Sequence, residues 1–525
     1  MIRGFWKVAS DESDRIAVID ADGSEISAGA LLTSANQLVN GLRSKGLQQG
    51  DCVAIMLPNS ATVLEVMMAV MQSGWHIVPL NYHSTADEIA YILRDSSAKA
   101  FITHQQFAES SAAAIKMLQH LSAALKSDCC FSVGKVEGCR DYRQFLQQQS
   151  AASPEARIAG HFMQYTSGTT GKPKGVERQI YPVEPEIMAD YMSSTLARFD
   201  IVPQNGHVFL CPSPTYHTAP LGFNYFSLHY EHMVVIIDKW DAEKVLQLIE
   251  KYKVTTTLMV PTHFHRLLQL PEAIRKKYDV SSLRHVTHAA APCPRETKEK
   301  MFAWFGEVIY EYYGATEGVG TLATPKDWLR YPGTVGKAWQ GLEIRIYEDL
   351  PEGSNKAPRK LAANEVGVVY IKLTQDFNYK GDSQKTKSNR IDDFYTPGDI
   401  GYLNDEGFLF LCDRKIDMII SGGVNIYPAE IEAVLLNHPQ IADAAVFGIP
   451  NKDFGEEVKA VVELKQGIAS NIEMTKQLMD FCAEKLAKYK CPRSIDFSAA
   501  LPRDPNGKLY KRKLRDPYWN AGVKL

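Results

Sequence analysis

No stretch of this chain is long and apolar enough to span a bilayer. The greasiest, LEVMMAVMQSGWHIVPL, holds a Glu, a Gln and a His and falls short of the ~20 apolar residues that a crossing needs. The N-terminus, MIRGFWKVASDESDR, turns polar before a signal-peptide core could form, so export is not expected. Excess charge of either sign is also missing: 58 Lys and Arg face 61 Asp and Glu, for a net charge of −3. That balance argues against nucleic acid as a partner, because such binding usually selects a basic face. There is no CxxC pair and no Cys/His spacing of a zinc site. The nine cysteines, at 52, 129, 130, 139, 211, 293, 412, 482 and 491, are scattered as reduced thiols in a cytosol-like compartment would be. Repeats and low-complexity segments are absent as well. These absences leave a cytoplasmic globular protein, although a greasy ligand could still bring it to a membrane surface peripherally.

What is present is an ordinary globular composition, 45% hydrophobic and 23% charged over 525 residues, too long for one typical core. Two or more domains are therefore expected. The middle of the chain alternates short apolar runs with amphipathic segments, the pattern of βαβ units and a mainly parallel sheet. VVII at 234–237 reads as a buried strand. Asp241 then caps a helix with Val245, Leu248, Ile249 and Tyr252 on one face, and TTTLMV reads as the next strand, stopped by Pro261. CVAIMLPNS and HIVPLNY repeat the pattern earlier, so two parallel α/β layers are expected. From about 340 to 412 the pieces LEIRIYE, VGVVYIKL and GFLFLC, separated by turn residues, suggest a small antiparallel barrel or meander. A compact α+β tail follows, with Pro428 opening a helix that places Ile431, Val434 and Leu435 on one face. The expected fold is α/β, with a domain over 1–413 and a small mobile domain over 414–525.

Four motifs carry candidate chemistry. In YTSGTTGKPKG, Gly168, Gly171 and Gly175 permit close backbone approach, while Thr166, Ser167, Thr169 and Thr170 offer donors and Lys172 and Lys174 add charge. It is not a Walker A loop, since Pro173 rather than Ser or Thr follows Lys172. It reads either as a phosphate cradle or as a polar hairpin tip. YEYYGATEG at 310–318 places Tyr313, able to stack on a purine, beside Gly314, Thr316, able to bond a phosphate, and Glu317, able to hold Mg²⁺. The alternative is a strand and turn with a solvated Glu. In YTPGDIGYLNDEGFLFLCDRKIDMIISGGVNIYPAEIE, Asp399 could accept both ribose hydroxyls, with Arg414 in reach of the same sugar. In LPRDPNGKLYKRKLR, Lys508 follows a DPNG turn that could present it on a tip, although basic C-terminal runs are commonly just solvated.

Together, in this order and at these separations, the four motifs closely resemble the adenylate-forming (AMP-binding) superfamily, in its acyl-CoA synthetase and fatty-acid–CoA ligase branch. The resemblance covers nearly the whole chain. It implies a two-step ligase that uses ATP, Mg²⁺ and coenzyme A: a carboxylate attacks the α-phosphorus, pyrophosphate leaves, and a thiol then takes the acyl group from AMP. Two like charges about 4 Å apart at an effective dielectric near 20 repel by ~4 kcal/mol, so the approaching carboxylate needs cations beside it. The family casts Lys508 in that role, with Thr316, Glu317 and His217 also at the chemistry and the glycine-rich loop on the outer phosphates. Ala291, in a HAAAPCP stretch that resembles the family's adenine-flanking turn, joins the ATP site with alanines where glycines are frequent. The C-terminal domain is expected to rotate between half-reactions and to present Ser421, Gly422 and Gly423 to the pantetheine arm of CoA. At the usual pivot this chain has Ile416, followed by Asp417.

The segment CPSPTYHTAPLGFNYF at 211–226 matches the family's acyl-pocket segment, with Tyr216, His217 and Phe223 as lining candidates; His217 could equally be a bonded core residue. It lacks the Asp with which amino-acid-activating relatives pair a substrate ammonium, so a hydrophobic acid is expected, a medium or long fatty acid or a ring-bearing, steroid-type one. GVERQI replaces the segment in which many relatives carry a His after KGV. Partners are thus a small carboxylic acid, ATP and CoA; a homodimer is compatible with the reading. The competing functions are loading of a free-standing carrier protein, since no carrier domain is appended, a luciferase-like oxygenase, and a nucleotide-binding regulator without catalysis.

Overall fold

The αβ unit expected around 234–260 is present and shows how local sequence sets local structure. The strand Met233–Ile236 leads to the helix Ala242–Tyr252, whose N-cap Asp241 accepts from Lys244 N at 2.7 Å. That bond satisfies one of the orphan donors at the helix start. Its buried face holds Val245, Leu246, Leu248 and Ile249. It is wider than the expected one: Leu246 joins it, whereas Tyr252 is only half-buried, because a sheet-covering helix buries a broad stripe. Pro261 then opens the helix Pro261–Gln269 after the strand Thr256–Met259.

The computed structural model describes residues 2–119, 125–166, 173–203, 206–350, 356–372, 375–503 and 509–520. They form two compact units, one of residues 1–259, 270–287 and 374–389, the other of 260–269, 288–373 and 390–525. The first unit contains both expected parallel layers. One sheet runs Arg140–Asp141, Cys130–Val133, Ala98–His104, Cys52–Met56, His76–Pro79, His161–Phe162, parallel throughout. The other runs Ile16–Ile19, Met233–Ile236, Val208–Cys211, Thr256–Met259, also parallel, with Glu25–Ser27 antiparallel at the edge. The greasy run that could not span a membrane is split between two elements, the end of the helix Ala61–Val70, buried at every position, and the buried strand His76–Pro79. Among the described residues no helix is long and apolar enough to cross a membrane.

The second unit contains the antiparallel strands expected after 340. Gly367–Lys372 pairs with Ile344–Tyr347, Phe394–Tyr395 and Asp399–Leu403, and the last pairs with Phe408–Arg414. A single 3-10 turn, Lys415–Asp417, leads onward. Beyond it, the strands Ile419–Ser421, Val424–Ile426, Ile441–Asn451, Gly455–Leu464 and Ser494–Phe497 form one sheet. Its core holds Ile419, Ile426, Ile431 and Leu435 together with Leu478 and Cys482 of the helix Ile472–Lys485. Pro428 starts the helix Pro428–Leu436 as its fixed φ favours.

Candidate functional site

In the first unit, the glycine-rich stretch is flanked by two paired strands. Gln164–Thr166 runs antiparallel to Lys174–Glu177, with Thr166 opposite Lys174 and Tyr165 opposite Gly175. A Cβ on Gly175 would lie 3.0 Å from the Tyr165 ring, so this glycine makes room for a side chain of its own hairpin. Tyr165 Oη donates to Asp95 Oδ2 at 2.7 Å. Lys174 Nζ is paired with Asp382 at 2.5 Å. Ser167, Gly168, Thr169, Thr170, Gly171 and Lys172 lie outside the described residues, as does Lys508.

The acyl-segment candidates sit where the strand Val208–Cys211 passes to the helix Thr218–His229, with His217 as its N-cap residue. Tyr216 is buried, edge-on to Tyr82 at 4.8 Å and beside the His217 ring at 4.4 Å. Phe223 is buried with Phe199, Phe209 and Phe226 rings at 5.7, 6.1 and 6.1 Å. A residue missed by sequence reasoning fixes the approach to this segment. Asn59, almost fully buried, donates to Ser213 O at 2.9 Å and accepts from Thr215 N at 2.8 Å. A lone Asn more than 150 positions upstream gives no local signal for that role.

In the second unit, Thr316 and Glu317 form the two-residue connection between the antiparallel strands Ile309–Ala315 and Gly318–Ala323. Gly314 is needed there, since a Cβ would come within 2.7 Å of Gly318 O and Val319 Cα. Glu317 is half-buried rather than fully solvated. Tyr313 Oη donates to Asp399 Oδ2 at 2.6 Å. Burial first and the Asp399 carboxylate second hold the Tyr313 phenol well above its ordinary range, so it stays a donor. Asp399 and Arg414 are cross-strand partners in register, with Arg414 Nε 3.6 Å from Asp399 Oδ1. A carboxylate has about four lone-pair sites, so one hydrogen bond from Tyr313 and a looser ion pair with Arg414 leave room for a diol. Tyr395 Oη donates to Gly318 O at 2.7 Å and braces the turn from behind.

Ala291 is half-buried and follows Ala290, which has φ 75. Ala290→Gly is expected to stabilise by about 0.5–1 kcal/mol, because relief of about 1–2 kcal/mol of left-handed strain outweighs about 0.4–1 kcal/mol of added unfolded-state freedom. A urea midpoint that falls instead would refute this. Gly422 and Gly423, at φ 59 and 79, form the tight turn between Ile419–Ser421 and Val424–Ile426, with Ser421 opposite Val424. Two positive φ values in a two-residue hairpin turn call for glycine. Gly422 N donates to Phe454 O at 2.8 Å.

The profile of the AMP-binding enzyme family matches residues 5–375, and that of the AMP-binding enzyme C-terminal domain matches 430–508. The chain belongs to the AMP-binding enzyme family. The long-chain-fatty-acid–CoA ligase FadD13 of Mycobacterium tuberculosis is 31% identical over 489 residues, 92% of this chain and 91% of that one. The 2-succinylbenzoate–CoA ligase of Bacillus licheniformis is 30% identical, covering 95% and 96%. Among solved structures, ATP-bound MatB from Rhodopseudomonas palustris is similar with a TM-score of 0.81, 28% identity and coverage of 99% and 100%. o-Succinylbenzoate CoA synthetase (MenE) from Bacillus subtilis, in complex with its acyl-adenylate intermediate, is similar with a TM-score of 0.79 and 26% identity, covering 98% of each chain. Within the AMP-binding enzymes, the chain stands with the AMP-forming acid–CoA ligases.

Proposed function

We propose that this AMP-binding enzyme activates a hydrophobic carboxylic acid, a medium or long fatty acid or a ring-bearing one, and transfers it to CoA. A carboxylate oxygen attacks the α-phosphorus of ATP and pyrophosphate leaves; the CoA thiol then attacks the acyl carbon and AMP leaves. The observation that carries the reading is the set beside the Thr316–Glu317 turn in which Tyr313 is hydrogen-bonded to Asp399 and Asp399 is ion-paired with its register partner Arg414. Asp399 and Arg414 hold the ribose, Tyr313 and Ala291 flank the base, and Thr316 takes the α-phosphate. Thr166, residues 167–172 and Lys174 serve the outer phosphates. Lys174 reaches them in exchange for its bond to Asp382. Ser421, Gly422 and Gly423 give the pantetheine arm a narrow passage free of side-chain bulk. Residues 1–413 carry the nucleotide and acyl sites, and 414–525 the mobile part with Lys508.

Among the described residues no three or more His, Cys, Asp or Glu stand together as a metal cage. That suits Mg²⁺ arriving on ATP, which keeps waters and phosphates as its other ligands and asks for one or two carboxylates, here Glu317. When bound, the ion neutralises the departing pyrophosphate. The hydrophobic acid is supported by the buried aromatic group of Tyr216 and Phe223 and by the absence of an Asp in 211–226. Nine free thiols support a reducing, cytoplasmic setting.

A panel of carboxylic acids assayed for pyrophosphate release, with and without CoA, tests the reading. Turnover of an aliphatic or steroid acid that requires CoA supports it. Adenylate formation indifferent to CoA but drained by a carrier protein replaces it with carrier loading; adenylate consumed only with oxygen points to an oxygenase.

A further inference from the structure

A buried ion pair ties together segments of the second unit on either side of the turn that carries Ala291. Lys298, one turn into the helix Arg295–Phe305, is fully buried. Its Nζ lies 2.6 Å from Glu311 Oε2 on the strand Ile309–Ala315 and 4.9 Å from the ring centre of Trp328. His288, the last residue of the strand His285–His288, is also sealed and brings Nε2 to 3.5 Å from the same carboxylate oxygen. Burial, then the Lys298 charge, pushes the imidazole well below its ordinary range. His288 is therefore neutral, and the cluster is one cation against one carboxylate.

Stability does not account for this arrangement. A buried ion pair is often no better than an apolar pair of the same volume, because both charges lose their water. A cation one turn from a helix N-terminus also opposes the helix dipole. What the pair supplies is geometry. Glu311 and Tyr313 point to the same side of their strand by its two-residue alternation. Glu311 is tied to the helix through Lys298, and Tyr313 to Asp399. The strand is thus held at two alternate residues immediately before Gly314, Thr316 and Glu317. On the other side, His288 and Lys298 bracket residues 289–294, the turn that contains Ala291.

We infer that Lys298 and Glu311 are a positioning pair for the nucleotide, locking the Thr316–Glu317 turn and the Ala291 turn into one register. The inference rests on the nucleotide reading given above. It is tested by calorimetric titration of the full chain with ATP and Mg²⁺, alongside the thermal midpoint. Lys298→Met alone should lower both the midpoint and ATP affinity, since it strands a buried carboxylate. Adding Glu311→Leu should restore the midpoint yet leave ATP binding weaker by about tenfold, as expected when the support of a binding constellation is loosened. A double variant that recovers both would make the pair merely structural and overturn the inference. Should the double variant fail to fold, Lys298→Arg, which keeps the charge but displaces it, should still weaken ATP binding; unchanged affinity there overturns the inference equally. Wild-type protein that binds no ATP would instead sink the nucleotide reading itself.

Discussion

Replacing Lys508 with alanine is expected to lower the rate of adenylate formation by about 100- to 1,000-fold, the range found when one charge-stabilising donor is removed from an acyl- or phosphoryl-transfer site. Thioester formation from a supplied acyl-adenylate should stay within a factor of about three, since a group that acts on one transition state alone leaves the other half-reaction untouched. The asymmetry follows from charge: the first step brings a carboxylate against a polyphosphate, whereas the second brings a thiol to a carbonyl already activated. The neighbouring chain is suited to carry such a lysine. Tyr510 N donates to Pro502 O at 2.8 Å, and Arg503 and Leu509 form an isolated bridge, so residues 502–503 and 509–510 are held together. Arg503 makes a two-pronged pair with Asp443, and Lys511 lies 2.8 Å from Glu432. Single-turnover measurement of the two half-reactions decides the matter; equal losses in both would assign Lys508 a role in folding or CoA binding instead.

The alternation of strands and helices was legible because buried parallel strands are short unbroken apolar runs and their covering helices are amphipathic. The Asp241 cap and the Pro428 helix start were legible for local reasons, as one residue fixes each. The two readings of YTSGTTGKPKG do not exclude each other. Its flanks pair as a hairpin up to Thr166 and Lys174, and a hairpin is one way to offer a loop to a phosphate. Asp399 and Arg414 were each visible in the sequence, yet their register across a strand pair is a fact of tertiary structure. The bond from Tyr313 to Asp399 joins residues 86 positions apart. Lys298 was invisible for a different reason. In RETKEKMFAWF it is one of several charges on an amphipathic helix, and nothing local marks which of them faces inward. Glu311 likewise reads as the polar member of an aromatic strand.

A steep loss of stability between pH 6.5 and pH 5 is the second large effect expected. Burial holds His161, His229 and His263 down at about 3, and His232 and His285 at about 4, against about 6.5 in an unfolded chain. Below pH 6.5 the unfolded state therefore binds protons that the folded state refuses. Stability is fully present above the unfolded value and falls as the pH drops towards the folded ones. At pH 5 each such histidine costs about 2 kcal/mol relative to neutral pH. Five of them approach the whole folding free energy of a typical domain, about 5–15 kcal/mol. The buried carboxylates Glu65 and Glu311 work in the opposite direction, since burial raises them, but Arg143 and Lys298 pull each of them back. The rings of His232 and His285 lie 4.9 and 6.0 Å from that of His207, so a first charge in this group opposes the next. The thermal midpoint, followed from pH 8 to pH 5, should be nearly level to about 6.5 and then drop sharply. Replacing both His232 and His285 with glutamine should make that drop shallower. A parent profile level down to pH 5 would contradict the prediction, and equal slopes in parent and variant would move its source away from this cluster.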